Sequence, residues 1–177
     1  WLWYAHHNTP SKPVEGRIIR LFRTGNIIED AIISDLEAIG IEVTDRQREV
    51  EIVNGDIVLK GHIDGIVSGQ LLEIKSASEK YFKQLLKVGY EKWNPKYKAQ
   101  AHVYMVLCDL EECMVVVENK NDSNLYIETL KLDRDYVTKL LIDVFAAITL
   151  PEPPERICPD MSWYESKCCK YQEVCFT

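Results

Sequence analysis

The sequence predicts an α/β fold in which helices flank a mixed central β-sheet. Two observations carry this prediction. Some segments repeat apolar residues at three- and four-residue spacing, as amphipathic helices do, whereas others repeat them at every second position, as half-buried strands do. Along the chain these segments give a helix, three strands, two helices, two strands, a helix and a tail. That order fits one mixed sheet covered by helices.

The predicted elements can be placed from their boundaries. A helix over residues 16–39 stops at Gly40, and two β patches within residues 41–53 end at the hairpin turn Asn54-Gly55. The elements that follow are two strands, two helices, two more strands and a helix, over residues 57–67, 71–76, 78–88, 95–108, 113–118, 125–132 and 133–148.

Residues that favour helix starts support three of the predicted helices. Ser78 and Asp133 are expected to be N-caps, and Asn94-Pro95 places a proline at the first helical position. We predict one domain over residues 1–150 and a Cys-rich C-terminal tail over residues 151–177, packed on the same domain.

The composition of the 177-residue chain sets bounds on its function. Hydrophobic residues make up 46% of the sequence, which is enough for a sizeable core. No apolar run approaches the roughly 18 residues that a transmembrane helix needs, and no signal peptide is visible. The net charge of −7 excludes a protein that coats nucleic acid through overall positive charge, so any DNA contact must come from a local patch.

Residues 61–75 predict a β-hairpin with a two-residue turn at Ser68-Gly69, where glycine supplies the positive φ of primed turns. Counting outward from that turn places Asp64 opposite Glu73. Two residues further out His62 faces Lys75, and because side chains alternate along a strand, all four share one face. On the other face, Ile63 is expected to lie against Ile74 in the core.

Two carboxylates opposite each other on neighbouring strands repel, with Cβ atoms about 4.5–5.5 Å apart. Both can then reach one divalent cation through oxygens at about 2.0–2.1 Å, which turns repulsion into chelation. Lys75 would add a positive charge beside them. The alternative is a solvent-exposed strand face, on which Asp, Glu, His and Lys are ordinary residues.

The pattern of Asp64, eight intervening residues and then Glu73-Ile74-Lys75 resembles the signature of the PD-(D/E)XK nuclease superfamily. Gln100 and Tyr104 lie four residues apart on a predicted helix and resemble the Gln-xxx-Tyr motif of the RecB-like exonuclease group, which includes CRISPR-adaptation and phage RecB-type nucleases. Glu29, four residues after a glycine, is similar to the acid or His of that group's first motif.

This resemblance implies a restriction-endonuclease-like core and a Mg²⁺- or Mn²⁺-dependent DNA exonuclease of recombination, repair or phage DNA processing. In such enzymes the metal lowers the pKa of a bound water and screens the phosphate charge. The implied partners are DNA and recombination or replication proteins, with no membrane. The implied location is the cytoplasm of a bacterial or phage-infected host cell.

The resemblance also implies roles for individual residues. Asp64, Glu73 and Lys75 would be catalytic; Asp64, Glu73, the Ile74 carbonyl and Glu29 would be metal ligands. Gln100 and Tyr104 would contact DNA near the cleaved phosphate. The simpler alternatives are a solvated helix residue for Glu29, a core position for Tyr104 and a surface amide for Gln100.

A basic stretch lies between residues 75 and 98, where seven lysines and two acids give a net charge of +5. Lys80 and Lys83 are the predicted DNA contacts in it. Aromatic residues interleave with the lysines, at Tyr81, Phe82, Tyr90, Trp93 and Tyr97. The lysines can neutralise DNA phosphates and the aromatic rings can stack on bases. The alternative is that the aromatic rings belong to the core.

Four of the six cysteines lie near the C-terminal end, at Cys158, Cys168, Cys169 and Cys175. Such a cluster indicates a metal site more than disulfides. Some RecB-like nucleases hold a [4Fe–4S] cluster with three C-terminal cysteines and one upstream, and Cys169-x5-Cys175 resembles the end of that pattern. Ser166 stands where a further cysteine is expected, so a [4Fe–4S] cluster, zinc and free thiols remain alternatives.

Two rival functions fit parts of the sequence. One is a non-catalytic module on a nuclease fold that holds DNA ends or serves assembly, and the other is a regulatory domain stabilised by metal at the Cys-rich tail. The complete set of Asp64, Glu73 and Lys75 favours the enzyme.

Overall fold

The structure, a computed structural model, describes residues 2–167 and 169–177, without the side chain of Tyr164. It divides the chain into two compact units, Leu21–Lys139 and Trp1–Arg20 with Leu140–Thr177. The domain boundary at residue 150 and the packing of the tail stay predictions. None of the described helices is long and apolar enough to cross a membrane.

Five strands form a central mixed sheet in the order β1-β4-β5-β6-β7. β5 and β6 are parallel, and the other neighbours are antiparallel. β2 and β3 form a separate two-stranded antiparallel sheet. The strands β1 to β7 span Val43–Thr44, Glu49–Asn54, Ile57–His62, Gly65–Val67, Gln70–Ala77, Glu112–Asn119 and Leu125–Lys131.

Helices flank the central sheet, so the predicted α/β class with a mixed sheet is confirmed. The helices α1 to α8 span Leu2–His6, Gly16–Ala38, Glu79–Val88, Tyr90–Trp93, Pro95–Leu107, Arg134–Ile148, Tyr164–Lys167 and Gln172–Phe176. The four longest described helices were predicted. The short helices α1, α4, α7 and α8 were not, because four or five residues are too few to show a helical repeat.

The helix starts follow local chemistry with one exception. Side-chain oxygens of Asn94 and Asp133 cap α5 and α6, accepting backbone N–H groups at 3.0 and 2.9 Å. Ser78 precedes α3 as predicted, but its hydroxyl makes no capping hydrogen bond. The Asn121 side-chain oxygen accepts the Glu79 N–H at 2.9 Å instead.

The two-residue turn of the predicted hairpin is confirmed. Val67 pairs with Gln70, and Ser68 and Gly69 have φ values of 49° and 78°. Positive φ at both central residues is what a type I′ turn requires. Gly65 pairs with Leu72 as expected, and the ladder ends there.

The prediction of one continuous strand over residues 57–67 is wrong. β3 ends at His62, which pairs with Glu49 in the two-stranded sheet and not with Lys75. The next residue donates its backbone N–H to the Arg48 carbonyl oxygen at 3.1 Å, which keeps the chain beside β2 until it turns into β4. Asp64 therefore lies on a link between the two sheets and is not a ladder partner of Glu73.

Two hydrophobic cores cover the two faces of the central sheet. The first packs the sheet against α3, α4 and α5, and includes Leu71, Phe82, Leu85, Tyr90, Met105 and Val115. The second packs it against α2, and includes Ile32, Ile33, Leu72, Ile74 and Val116. Ile63 and Ile74 are both buried as predicted, but Ile63 belongs to the first core and Ile74 to the second, so they do not face each other.

Candidate active site

Glu73 is an acid at the centre of the main sheet. It lies on β5, the middle strand, and is fully buried. Its Oε1 forms an ion pair with Lys75, and its Oε2 has no hydrogen-bond partner among the described residues. A buried carboxylate with an unused oxygen costs free energy unless a cation or donor reaches it.

Asp64 reaches β5 from the link between the two sheets. Its side chain is 8% exposed, and its Oδ2 accepts the backbone N–H of Ile74 at 2.6 Å. The carboxylate thus lies beside the backbone that carries Glu73. The structure brings the two acids into one site by a hydrogen bond to the strand backbone, where a cross-strand pair was expected.

The acids sit in an environment that opposes negative charge. Burial raises the pKa of Glu73 to about 7, although the ammonium of Lys75 acts against the rise and the charge of Asp64 adds to it. Burial also raises the pKa of Asp64, while Lys75 and the Ile74 N–H act to lower it. Perturbed carboxyl groups of this kind cluster at functional sites.

Lys75 is the counter-ion of this acidic pair. Its Nζ contacts Glu73 and donates a hydrogen bond to the Ile74 carbonyl oxygen at 3.2 Å. Burial alone would lower the pKa of Lys75, but the charges of Glu73 and Asp64 outweigh it and raise the pKa. The ammonium also lies 5.4 Å from the centre of the Tyr97 ring, a cation–π contact that holds it in place.

Glu29 lies near the pair but is engaged elsewhere. The side chain, on α2, is half-buried, and its Oε1 accepts a hydrogen bond from Gln47 Nε2 at 2.5 Å. Burial and the charge of Asp64 raise its pKa, while the Gln47 bond acts against this. Glu29 therefore shares the electrostatic field of the acids.

The donor set fits a hard divalent cation in part. Carboxylate and carbonyl oxygens are the ligands that Mg²⁺ and Mn²⁺ prefer, and Glu73 has an oxygen to spare. Within residues 2–167 and 169–177, however, no group of three or more His, Cys, Asp or Glu side chains could hold a metal ion. The structure brings Asp64 and Glu73 together, and the predicted metal-ligand roles of Glu29 and the Ile74 carbonyl stay predictions.

Gln100 and Tyr104 lie on α5, one turn apart. The Gln100 side chain acts to lower the pKa of the Tyr104 hydroxyl, so the two side chains lie close together. Burial and the charge of Glu73 raise the pKa of Tyr104, so its hydroxyl lies within the field of the acidic pair. The ring of Tyr104 packs against the first core. Tyr104 is therefore both a core residue and a neighbour of the acidic site.

The basic stretch divides into exposed lysines and mostly buried aromatics. Lys80 and Lys83 are exposed on α3, and Lys83 forms an ion pair with Glu79 at 2.5 Å. Phe82 and Tyr90 belong to the first core, so for these two rings the alternative of core positions is the one that the structure supports. Among the interleaved aromatics, the side chain of Tyr81 is exposed.

The Cys-rich tail belongs to the other unit. Cys158 and Cys175 line an open cavity of about 510 Å³, together with Tyr4, Arg156 and three prolines. The described cysteines are not joined in disulfides, and Cys168 lies outside the described residues. Ser166 is buried and hydrogen-bonded to Gln172 at 3.3 Å. A [4Fe–4S] or zinc site here stays a prediction.

Sequence reasoning missed three residues of the acidic site: Tyr97, Gln47 and Gly61. Tyr97 was noted only as one of several aromatics in the basic stretch. Gln47 carries no local signal, because its partner Glu29 is on a distant helix. Gly61 has a signal, since it and Gly65 lie on either side of Asp64 and a glycine inside a strand often marks a close approach.

Comparison with known proteins gives matches among solved structures only. No protein-family model matches the chain, and no curated protein does. The crystal structure of SSO0001 matches with a TM-score of 0.53 and 22% identity, over 86% of this chain and 68% of that one. LHK-Exo, an alkaline exonuclease from Laribacter hongkongensis, matches with a TM-score of 0.54 and 18% identity, over 71% of this chain and 65% of that one. The chain shares its fold with an alkaline exonuclease.

LHK-Exo in complex with dAMP also matches, with a TM-score of 0.53 and 19% identity, over 70% of this chain and 64% of that one. The chain thus spans about two thirds of the length of each of these structures. At such identities the likeness shows the fold. The predicted mixed sheet flanked by helices is thus shared with an alkaline exonuclease, and membership of the PD-(D/E)XK superfamily stays a prediction.

Proposed function

We propose that the chain is a metal-dependent DNA nuclease, an exonuclease that hydrolyses phosphodiester bonds in DNA recombination, repair or phage DNA processing. The observation that supports it is the buried pair of Asp64 and Glu73 with Lys75 as counter-ion, at the centre of a sheet with an exonuclease fold. The dAMP complex of LHK-Exo makes a nucleotide substrate a natural candidate.

A purely structural role explains the acidic pair poorly. Replacing a buried ion pair with apolar side chains of similar volume is often neutral or stabilising, by about 1–4 kcal/mol. The centre of this sheet is otherwise apolar, with Leu71 and Leu72 fully buried on the same strand. The charged groups of Asp64, Glu73 and Lys75 lower stability at the centre of the sheet, so a catalytic role explains their presence better than a structural one.

In the proposed reaction Asp64 and Glu73 hold Mg²⁺ or Mn²⁺, with the Ile74 carbonyl and Glu29 as further oxygen donors. A bound divalent metal supplies a water of lowered pKa and screens the phosphate charge. Asp64 stays in place through its bond to the Ile74 N–H, and Glu29 through its bond to Gln47.

The remaining residues act on the DNA. Lys75, steadied over the Tyr97 ring, stabilises negative charge that develops on the scissile phosphate. Gln100 and Tyr104, one turn apart on α5, contact the strand near the cleaved phosphate. Lys80 and Lys83 neutralise phosphates further along.

The test is cleavage of end-labelled DNA in Mg²⁺ or Mn²⁺. Asp64→Ala and Lys75→Ala are each expected to lower the rate by about 100-fold or more, the usual effect of removing one group that stabilises the transition state. Lys131→Ala, an exposed lysine on the edge strand β7, serves as the control and should cleave normally. Undiminished cleavage by both site variants would overturn the proposal.

Metal binding is tested separately by calorimetry. Asp64→Asn and Glu73→Gln should weaken Mn²⁺ binding by roughly 10-fold or more, in line with lost ligand contacts. Glu29→Gln should weaken it less, because the Glu29 carboxylate is already engaged by Gln47.

The second candidate is a non-catalytic DNA-end-binding or assembly module on the same fold. The observation that favours it is that only two acidic side chains meet at the site in the described part of the chain. Purified protein that binds DNA ends tightly, yet never cleaves them in either metal, would establish this function in place of the nuclease.

A further inference from the structure

Gly61 lies directly beneath Tyr104. It is on β3, paired with Val50, and its backbone is not in the left-handed region. An alanine Cβ at this position would lie 2.1 Å from the Tyr104 hydroxyl oxygen, 2.8 Å from Cζ and 2.9 Å from Cε1. Real Cβ atoms essentially never approach other atoms below 3.0 Å. The position therefore requires glycine for space and not for its backbone angles.

Neither partner of this contact can yield easily. The Tyr104 ring packs against the first core, which limits the directions in which the side chain can move. On the other side, β3 is paired with β2 along its whole length. Asp64 follows Gly61 by three residues and is bonded to β5, so a shift of the strand would move that carboxylate as well.

We propose that Gly61 is a positioning residue for the nuclease reaction. The space left by its missing side chain is occupied by the Tyr104 hydroxyl, and this contact, which we call the seat, fixes the hydroxyl beside the acidic pair. The proposal rests on the proposed function and adds to it a residue with no reactive group. A side chain at Gly61 displaces the tyrosine from the site even though every chemical group of the site is still present.

The seat is tested without reference to cleavage by a double-mutant cycle in thermal unfolding. Gly61→Ala should lower the unfolding midpoint of the native chain and have little effect in a Tyr104→Ala background. A Tyr104→Phe background should give an intermediate effect, because it removes the oxygen at 2.1 Å and keeps the two ring carbons. The control is Gly16→Ala, whose Cβ would meet only the Arg20 guanidinium, at 3.7 Å.

The same variants are then assayed on end-labelled DNA in Mg²⁺. Gly61→Ala should lower the cleavage rate about as much as Tyr104→Ala, on the order of 10- to 100-fold for a displaced contact group. In the Tyr104→Ala background it should add less than about twofold, since nothing is left to displace. Gly16→Ala should cleave like the native chain.

An equal loss of activity from Gly61→Ala in both backgrounds, or no loss in either, would overturn the positioning role. Absence of coupling in the unfolding cycle would overturn the seat itself. A native chain that cuts no DNA would overturn the proposed function and the positioning role with it, while unfolding coupling would still support the seat. The two failures are therefore distinguishable.

Discussion

At the scale of single residues, the site is organised by one lysine that pairs with Glu73 and lies within the field of Asp64. The Lys75 ammonium touches Glu73, the Ile74 carbonyl and the Tyr97 ring, and is 17% exposed. In the metal-free chain, the buried carboxylate of Glu73 is paired with the positive charge of Lys75.

The pH dependence of stability follows from Glu73. The pKa of Glu73 is about 7 in the folded chain, above the ordinary glutamate value of 4.5. Folding therefore favours the protonated form of this side chain. Its contribution to the free energy of unfolding is fully present below about pH 4.5 and is lost as the pH rises through about 7. The metal-free protein should therefore lose stability over this window, and Glu73→Gln should reduce that loss, with the raised pKa values of Asp64 and Glu29 accounting for part of what remains.

The measurement is the urea midpoint between pH 4 and pH 8 for the native chain and Glu73→Gln, in the presence of a chelator. Glu37→Gln, an exposed acid on α2, is the control and should keep the native slope. A Glu73→Gln chain whose midpoint falls with pH as steeply as the native one would show that Glu73 is not the group responsible.

At the scale of the elements, structure could be predicted where contacts are local. The turn at Ser68-Gly69, the helix start at Asn94-Pro95 and the cap at Asp133 need only neighbouring residues, and all were found from the sequence. The break between β3 and β4 could not be found, because it depends on a backbone bond from Ile63 to Arg48, fifteen residues earlier.

The start of helix α3 also depends on a residue that is distant in the sequence, and this leads to a prediction. Ser78 stands at the N-cap but makes no capping bond, whereas Asn121, 42 residues beyond Glu79, supplies the acceptor. Asn121→Ala should therefore lower the free energy of unfolding by about 1 kcal/mol, the usual cost of losing a cap, and Ser78→Ala by only a few tenths. Urea unfolding of the matched pair tests this, and a larger loss for Ser78→Ala would contradict it.

At the scale of the whole molecule, charge is distributed unevenly. The chain carries −7 overall, yet residues 75–98 carry +5, and Lys80 and Lys83 are exposed there. Each lysine that neutralises a phosphate adds about 0.9 to the slope of log affinity against log salt concentration. The double variant Lys80→Ala/Lys83→Ala should thus weaken DNA binding and reduce that slope by up to about two.

The assay is fluorescence anisotropy of a labelled DNA duplex in Ca²⁺, titrated at several salt concentrations. Lys131→Ala controls for the loss of a lysine elsewhere. If the double variant kept the native slope, DNA would have to bind on another face of the molecule.

The fold class and the acids of the site could be read from the sequence because they depend on patterns within about fifteen residues. The arrangement around them could not. Glu29 meets Gln47 from a different element, and Tyr104 meets Gly61 across 43 residues, so both contacts exist only after the sheets and helices have packed. The hairpin predicted from the sequence placed His62 beside Lys75, whereas in the folded chain His62 pairs with Glu49 in the two-stranded sheet.

The position of Asp64 on the link between two sheets has a consequence for how the protein loses activity. Opening the small β2–β3 sheet would release Asp64 from β5 and leave the hydrogen bonds of the five-stranded sheet intact. Local opening of this kind needs less free energy than global unfolding. Inactivation of the proposed nuclease is therefore expected to precede denaturation, so that a heat- or urea-stressed molecule loses the Asp64 contact while most of its structure is still folded.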